Sequence, residues 1–270
     1  MIEPEILYKY RSWNSDIQKS PLTQSELYLS SPMDFNDPFD CRIPSNFKAM
    51  TQEDIEEYAG IIIKNHSKIM IELGWDLNEE YRYIVDRINE DSESFQNEFQ
   101  ERTFDGYDKH LGVLSLSKRW DSILMWSHYA DYHKGYCIGF HKEMLTSSDF
   151  FGAGGPVIYP DNSSFPEITP AIEFKAESQF IITHHKAFDW KYEEEYRFTK
   201  LQYPKPFEKS ERIIKVPDNF IAEVLIGLKA EASVEKEIID FCKLKKIPVF
   251  KLAHEPLKFK LVRNKINHKN

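Results

Sequence analysis

Two stretches of the chain concentrate side chains able to do chemistry. The first, Leu111 to Phe140 (LGVLSLSKRWDSILMWSHYADYHKGYCIGF), sets Ser115, Ser117, Lys118, Arg119, His128, Tyr129, Asp131 and Lys134 among apolar residues. Val113, Leu114 and Leu116 with serines interleaved predict a strand with one wet face. Trp120-Asp121-Ser122 supplies helix-start chemistry, and Tyr136 to Phe140, entered through Gly135, predicts a second strand. The polar groups of Ser115, Ser117 and His128 then converge on one cleft. Met125 and Trp126 suit core packing, and a His beside a Tyr is more often a structural pair than a catalytic one. The second stretch is WKYEEEYRF, Trp190 to Phe198. As a strand it places Glu193, Glu195 and Arg197 on one face, because side chains alternate. Such a row is costly to bury unless paired or used. A salt bridge from Arg197 to a Glu on an exposed strand is the plainer alternative.

Other elements must position these groups. Ile6 to Arg11 (ILYKYR) predicts a strand whose Lys9 and Arg11 share a face, a solvated face by preference and an anion cradle otherwise. The polar segment after it leads to a short strand, Glu26 to Ser30. In SSPMDFNDPFD (Ser30 to Asp40), Asn36-Asp37-Pro38 is turn chemistry, and Phe35 and Phe39 are expected to pin the loop to the core. Its Asp34, Asn36, Asp37 and Asp40 fit a rigid corner better than a functional loop. Apolar periodicity predicts helices over Thr51 to Leu73, opened by Thr51 with Asp54, and over Asn78 to about Phe104. Gly152 to Pro156 reads as a flexible connector without the Lys-Ser/Thr of a phosphate loop. Val157 to Tyr159 predicts a strand and Glu167 to about His185 a helix, on which adjacent His184 and His185 diverge. Arg212 to Val216, Phe220 to Ile226 and Val249 to Leu252 predict strands. With a helix from Ser233 to about Leu244, the last two make one crossover unit.

The pattern implies an α+β class with a central split, mixed β-sheet and an inserted helical pair, about 51–104, in a single domain over 1–270. A basic tail, about 256–270, is expected to fray beyond Val262. The net charge of -9 and pI near 5.6 give no global nucleic-acid signature. Cys41, Cys137 and Cys242 are far apart and odd in number, which fits a reducing cytoplasm and argues against a disulfide frame or structural zinc. No signal-peptide pattern and no long apolar window is present, so a cytoplasmic protein without membrane partners is expected.

LYKYR, SSPMDFNDPFD, LSLSKRW, MWSHYADYHKGYCIGF and WKYEEEYRF together resemble the bacterial family known as domain of unknown function 2971, over about Leu7 to Gly227. A further resemblance is to the ADP-ribosyltransferase fold. One branch of those enzymes carries a first-strand Arg, a Ser-rich second motif and a Glu-x-Glu third motif. Arg11 or Lys9, Ser115-Leu116-Ser117 and Glu193-Glu194-Glu195 follow that order. The resemblance implies NAD as substrate, in an ADP-ribosyltransferase-like enzyme or NAD glycohydrolase of the toxin or phage-defence kind. Glu195 would face the oxocarbenium-like transition state, and Glu193 would position or deprotonate the acceptor: protein, nucleic acid or water. Lys9 or Arg11 would hold the pyrophosphate, Ser115 or Ser117 the nicotinamide ribose, and Tyr129 or Trp126 would stack on nicotinamide. His128 has no counterpart in that branch.

Two other classes remain open. A metal-dependent phosphodiesterase or nuclease would draw on Asp37, Asp40, His128, Asp131 and Glu195, although no HxxxH, HxD or DxD spacing marks a metal site. A non-catalytic nucleotide-sensing module would need Lys9, Arg11, Arg119 and Arg197 alone.

Overall fold

A computed structural model describes residues 5–170 and 176–267. In chain order the elements are β1 (Ile6–Arg11), α1 (Asp16–Thr23), β2 (Glu26–Tyr28), α2 (Gln52–Glu72), α3 (Leu77–Glu90), α4 (Ser92–His110), β3 (Leu111–Ser117), α5 (Ile123–Tyr129), β4 (Tyr136–His141), α6 (Lys142–Thr146) and β5 (Ala153–Pro156). They continue with α7 (Ala176–His184), a 3-10 turn (Phe188–Glu193), β6 (Glu195–Leu201), β7 (Ile213–Lys215), β8 (Ile221–Ile226), α8 (Ala232–Lys245), β9 (Val249–His254) and β10 (Leu261–Lys265). The class is α+β, around an eight-stranded mixed sheet of order β10-β9-β8-β4-β1-β3-β6-β5; β2 and β7 pair separately. β8 and β9 run parallel across α8, and the other neighbours are antiparallel.

The sheet is discontinuous at its centre. β1 and β4 pair along their whole length, from Ile6↔His141 to Arg11↔Tyr136, whereas β1 meets β3 at one rung, Tyr8↔Ser117. Four residues back along β3, Val113 exchanges both backbone hydrogen bonds with Ser30 instead, each at 2.9 Å. Ser115 lies between these two rungs, paired with Arg197 of β6 on one side but with no β1 residue on the other, and the gap opens there.

Alternation then sorts the side chains. Leu7, Leu114, Leu116, Ile138, Phe140, Tyr196 and Phe198 share one buried cluster, while Tyr8, Tyr10, Cys137 and Leu225 pack on Met125 and Trp126 of α5 across the sheet. Ser115, Ser117, Glu195 and Arg197 therefore face the α5 side. Lys9 and Arg11, opposite Ile138 and Tyr136, start from the other face.

Several expectations need correction. The insertion has three helices, because Asp91 ends α3 and its carboxylate accepts from the Ser94 N–H to cap α4. These helices bury their own cluster around Phe47, Tyr58, Ile84 and Ile88. The Thr51–Asp54 capping box forms as expected. α1, capped by Ser15, occupies the segment read only as polar. Within the stretch read as a connector, Ala153–Pro156 is an edge strand, and a Cβ on Gly154 would lie 2.7 Å from the Phe198 ring. Val157 to Tyr159 reduces to one bridge, Ile158↔His185. The strand expected from Trp190 starts at Glu195, after the 3-10 turn. Leu261–Lys265 does not fray, since it pairs with β9. Phe39 is 61% exposed and meets the Phe165 ring rather than the core, whereas Phe35 packs against the buried cluster around Cys41 and Ile182. Residues 171–175 of the helix expected from Glu167 lie outside the described set.

Candidate functional site

A cavity of about 470 Å³ occupies the gap in the sheet. It brings together Lys9 and Arg11 of β1, Ser115 and Ser117 of β3, His128 and Tyr129 of α5, and Glu193, Glu195 and Arg197 around β6. An adjoining groove shares Lys9, Arg11, His128 and Tyr129 with it and continues past Gln18 and Asp131.

The floor is a buried ionic network. Arg197, 1% exposed, uses all five of its N–H donors. Nη1 and Nη2 donate to the two Asp40 oxygens at 2.7 and 2.6 Å, Nε and Nη2 to Glu195 at 2.7 and 2.9 Å, and Nη1 to the Thr183 carbonyl at 2.8 Å. Lys186 Nζ donates to Glu193 Oε2 at 2.7 Å and lies 3.4 and 3.7 Å from Asp40 and Glu195. Tyr129 donates its hydroxyl to Glu193 Oε1 at 2.6 Å, and His128 Nδ1 lies 3.0 Å from the Tyr192 hydroxyl.

Local backbone explains how two carboxylates two residues apart reach one floor without sharing a strand. Glu194 adopts a left-handed conformation (φ 43°) that ends the 3-10 turn, and its carbonyl accepts from the Lys118 N–H. Ser117 fastens the same corner by donating its hydroxyl to the Glu193 carbonyl at 2.7 Å.

The two carboxylates are driven apart electrically. Burial alone raises a carboxyl pKa. At Glu195 the Arg197 guanidinium and Lys186 ammonium outweigh it, with help from the Ser115 hydroxyl, and bring the group down to about 2. At Glu193 burial prevails over Lys186, aided by the neighbouring Glu195 charge, and the pKa is raised. Lys186 is opposed by burial but held above the usual lysine range by Glu195, Asp40 and Glu193.

The cationic end is under-paired by contrast. Lys9 reaches through the gap and donates to the Ser115 carbonyl at 2.7 Å. Arg11 Nη1 donates to Gln18 Oε1 at 3.3 Å, and its Nε is buried without a hydrogen-bond partner.

Most residues singled out in the sequence meet here, with three adjustments. Trp126 is 0% exposed, donates its indole N–H to the Trp120 carbonyl at 2.7 Å, and does not line the cavity, so it cannot stack on a ligand. Arg197 reaches the cavity with its donors spent, and Ser117 is engaged in the Glu193 corner. Asp40 and Lys186 complete the floor although the sequence did not single them out as partners of Glu193, Glu195 and Arg197. Asp40 carried a signal in its Pro-bounded, Asp-rich loop, and Lys186 carried none.

Residues 125–198 match the model of the family described as Protein of unknown function (DUF2971). That segment is shorter than the Leu7 to Gly227 span suggested by the motifs, and it contains α5, Lys186, Glu193, Glu195 and Arg197 but not Lys9, Arg11 or Asp40. No curated protein and no solved structure matches the chain.

The donor set for a metal does not converge. Asp40 and Glu195 are both engaged by Arg197, Asp37 Oδ1 accepts from the Phe39 N–H, and Asp131 lines the outer groove. Among the described residues no group of three or more His, Cys, Asp and Glu is placed to hold an ion. No described helix is long and apolar enough to cross a membrane.

Proposed function

We propose that the cleft binds NAD and cleaves its nicotinamide–ribose bond, passing ADP-ribose to water or to an acceptor. The observation that carries this reading is the pair Glu193 and Glu195: two carboxyls on one cavity floor with pKa values displaced in opposite directions. Such a split assigns one group to remain an anion and the other to exchange a proton.

Under this reading Lys9 and Arg11 take the pyrophosphate, which supplies the acceptors their N–H groups lack. Glu195 stays ionised and faces the positive charge that develops on the ribose as the glycosidic bond lengthens. Glu193, hydrogen-bonded by Tyr129 and Lys186, removes the proton of the attacking acceptor. The rings of His128 and Tyr129, in place of Trp126, border the nicotinamide.

The test is incubation of the intact protein with millimolar NAD and chromatography for free nicotinamide, with a thermal melt in parallel. Turnover is expected, and Glu193→Gln should lower it per folded molecule by roughly a hundredfold or more. Ligand at a hundred times its dissociation constant should stabilise the fold by about 2.7 kcal/mol. Absence of both nicotinamide and a melting shift overturns the reading.

A further inference from the structure

Lys9 is unusual among the charged groups of the cleft. An ammonium has three N–H donors, and this one has a single hydrogen-bond acceptor, the Ser115 carbonyl; among the described residues no carboxylate lies within ion-pair distance of it. A second cation, Arg11, stands two residues along on the same strand face, and the 470 Å³ cavity lies in front of both. A desolvated amine beside another cation is the arrangement that keeps a lysine neutral and nucleophilic.

We propose that Lys9 is an amine nucleophile that captures the carbonyl carbon of a small phosphorylated aldehyde or ketone as an imine, with Arg11 holding the phosphate. The inference uses the same cleft as the NAD reading but does not rest on it.

The amine lone pair forms the C–N bond while the carbonyl π bond opens, and the oxygen takes a proton from the hydrogen-bonded Tyr129–Glu193 pair across the cavity. The carbinolamine then loses that oxygen as water as the C=N bond forms. The two protons of the original amine balance those carried away in the water, after one is returned to Glu193.

Burial pulls the Lys9 pKa down to about 7 and Arg11 pulls in the same direction, against the weaker opposing pull of Glu195 and Glu193. About half of the amine is then neutral at pH 7, against roughly one part in a few thousand for an ordinary lysine. The charged or titratable groups that line the cavity with it are Tyr8, Tyr10 and Arg11 on its own strand, Asp34 and Asp40 on the loop after β2, His128 and Tyr129 on α5, Lys186 and Glu193 before β6, and Glu195 and Arg197 on β6; of these Arg11, Glu195, Glu193 and Arg197 act on its charge.

The experiment treats the intact protein at pH 7.5 with pyridoxal 5′-phosphate, a phosphorylated aldehyde. Borohydride then fixes any imine, and peptide mass spectrometry maps the label. Lys9 should be modified at least about tenfold faster than exposed Lys68, with a rate that saturates with probe. Arg11→Ala should abolish saturation, Lys9→Arg should carry no label at position 9, and pyridoxal lacking the phosphate should label Lys9 and Lys68 with much less contrast. Labelling of Lys9 no faster than Lys68, or equally well by the phosphate-free probe, overturns the inference. Nicotinamide release is read separately, so failure of either result leaves the other standing.

Discussion

The two ends of the cleft hold like numbers of cations and treat them in opposite ways. At the floor, Arg197 and Lys186 are enclosed by Asp40, Glu193 and Glu195, with every Arg197 donor used. In the gap, Lys9 and Arg11 have neutral oxygen partners and one orphaned N–H. Burial without pairing costs free energy, so Arg197 and Lys186 read as cations already satisfied by the floor and the gap as a place that an anion would complete. A guanidinium in a cavity wall is therefore not by itself a ligand group; what matters is whether its donors are already spent.

The largest expected effect breaks the floor. Arg197→Ala strands two buried carboxylates, and loss of one member of a buried network costs about 3–5 kcal/mol. Urea denaturation should show that loss, and Arg197→Lys should recover little because an ammonium cannot make the planar five-donor set. A loss below about 1 kcal/mol would place Arg197 with the under-paired cations.

A smaller effect follows the Glu195 carboxyl. Its folded pKa, about 2, lies below the ordinary value of 4.5. The stability it contributes is complete above 4.5 and is lost as pH falls from there towards 2. Denaturant midpoints measured across that interval should decline less steeply in Glu195→Gln than in the natural chain, from a lower starting stability. Parallel declines would show that the acid response comes from other carboxylates.

The smallest effect has the opposite sign. The folded pKa of Lys9, about 7, lies below the ordinary lysine value, so holding its charge opposes folding fully at and below pH 7, and that opposition fades as pH rises towards 10.5. Lys9→Met should raise stability at pH 6 by on the order of 1 kcal/mol, with the gain shrinking towards pH 10. A loss of stability at pH 6 would mean that the contact with the Ser115 carbonyl outweighs the cost of desolvation.

Much of this arrangement was legible in the residue order. β1 follows from strand-forming Tyr and Leu residues, the start of α2 from Thr51 and Asp54, and the placement of His128, Glu193 and Glu195 on one cavity from two stretches that set polar groups among core residues. What escaped was governed by partners distant in sequence. Asp40 and Arg197 are separated by 157 positions, and nothing local marks either as the other's counter-ion. The glycines of β5 looked like punctuation because their reason, room for the Phe198 ring, lies on another strand. Trp126 offered an aromatic ring to a ligand on paper, but helix direction turned it into the core. The separation of Lys9 and Arg11 from the serines across the sheet depended on register, which no single stretch encodes.

The single rung between β1 and β3 means that this sheet has an edge in its interior. Unpaired strand edges invite other strands to add to them, and proteins commonly guard such edges with a lysine. Lys9, laid across the Ser115 carbonyl, occupies the position where an intruding backbone would have to dock. A lysine at this place would therefore hinder an added strand whether or not a ligand fills the cavity in front of it.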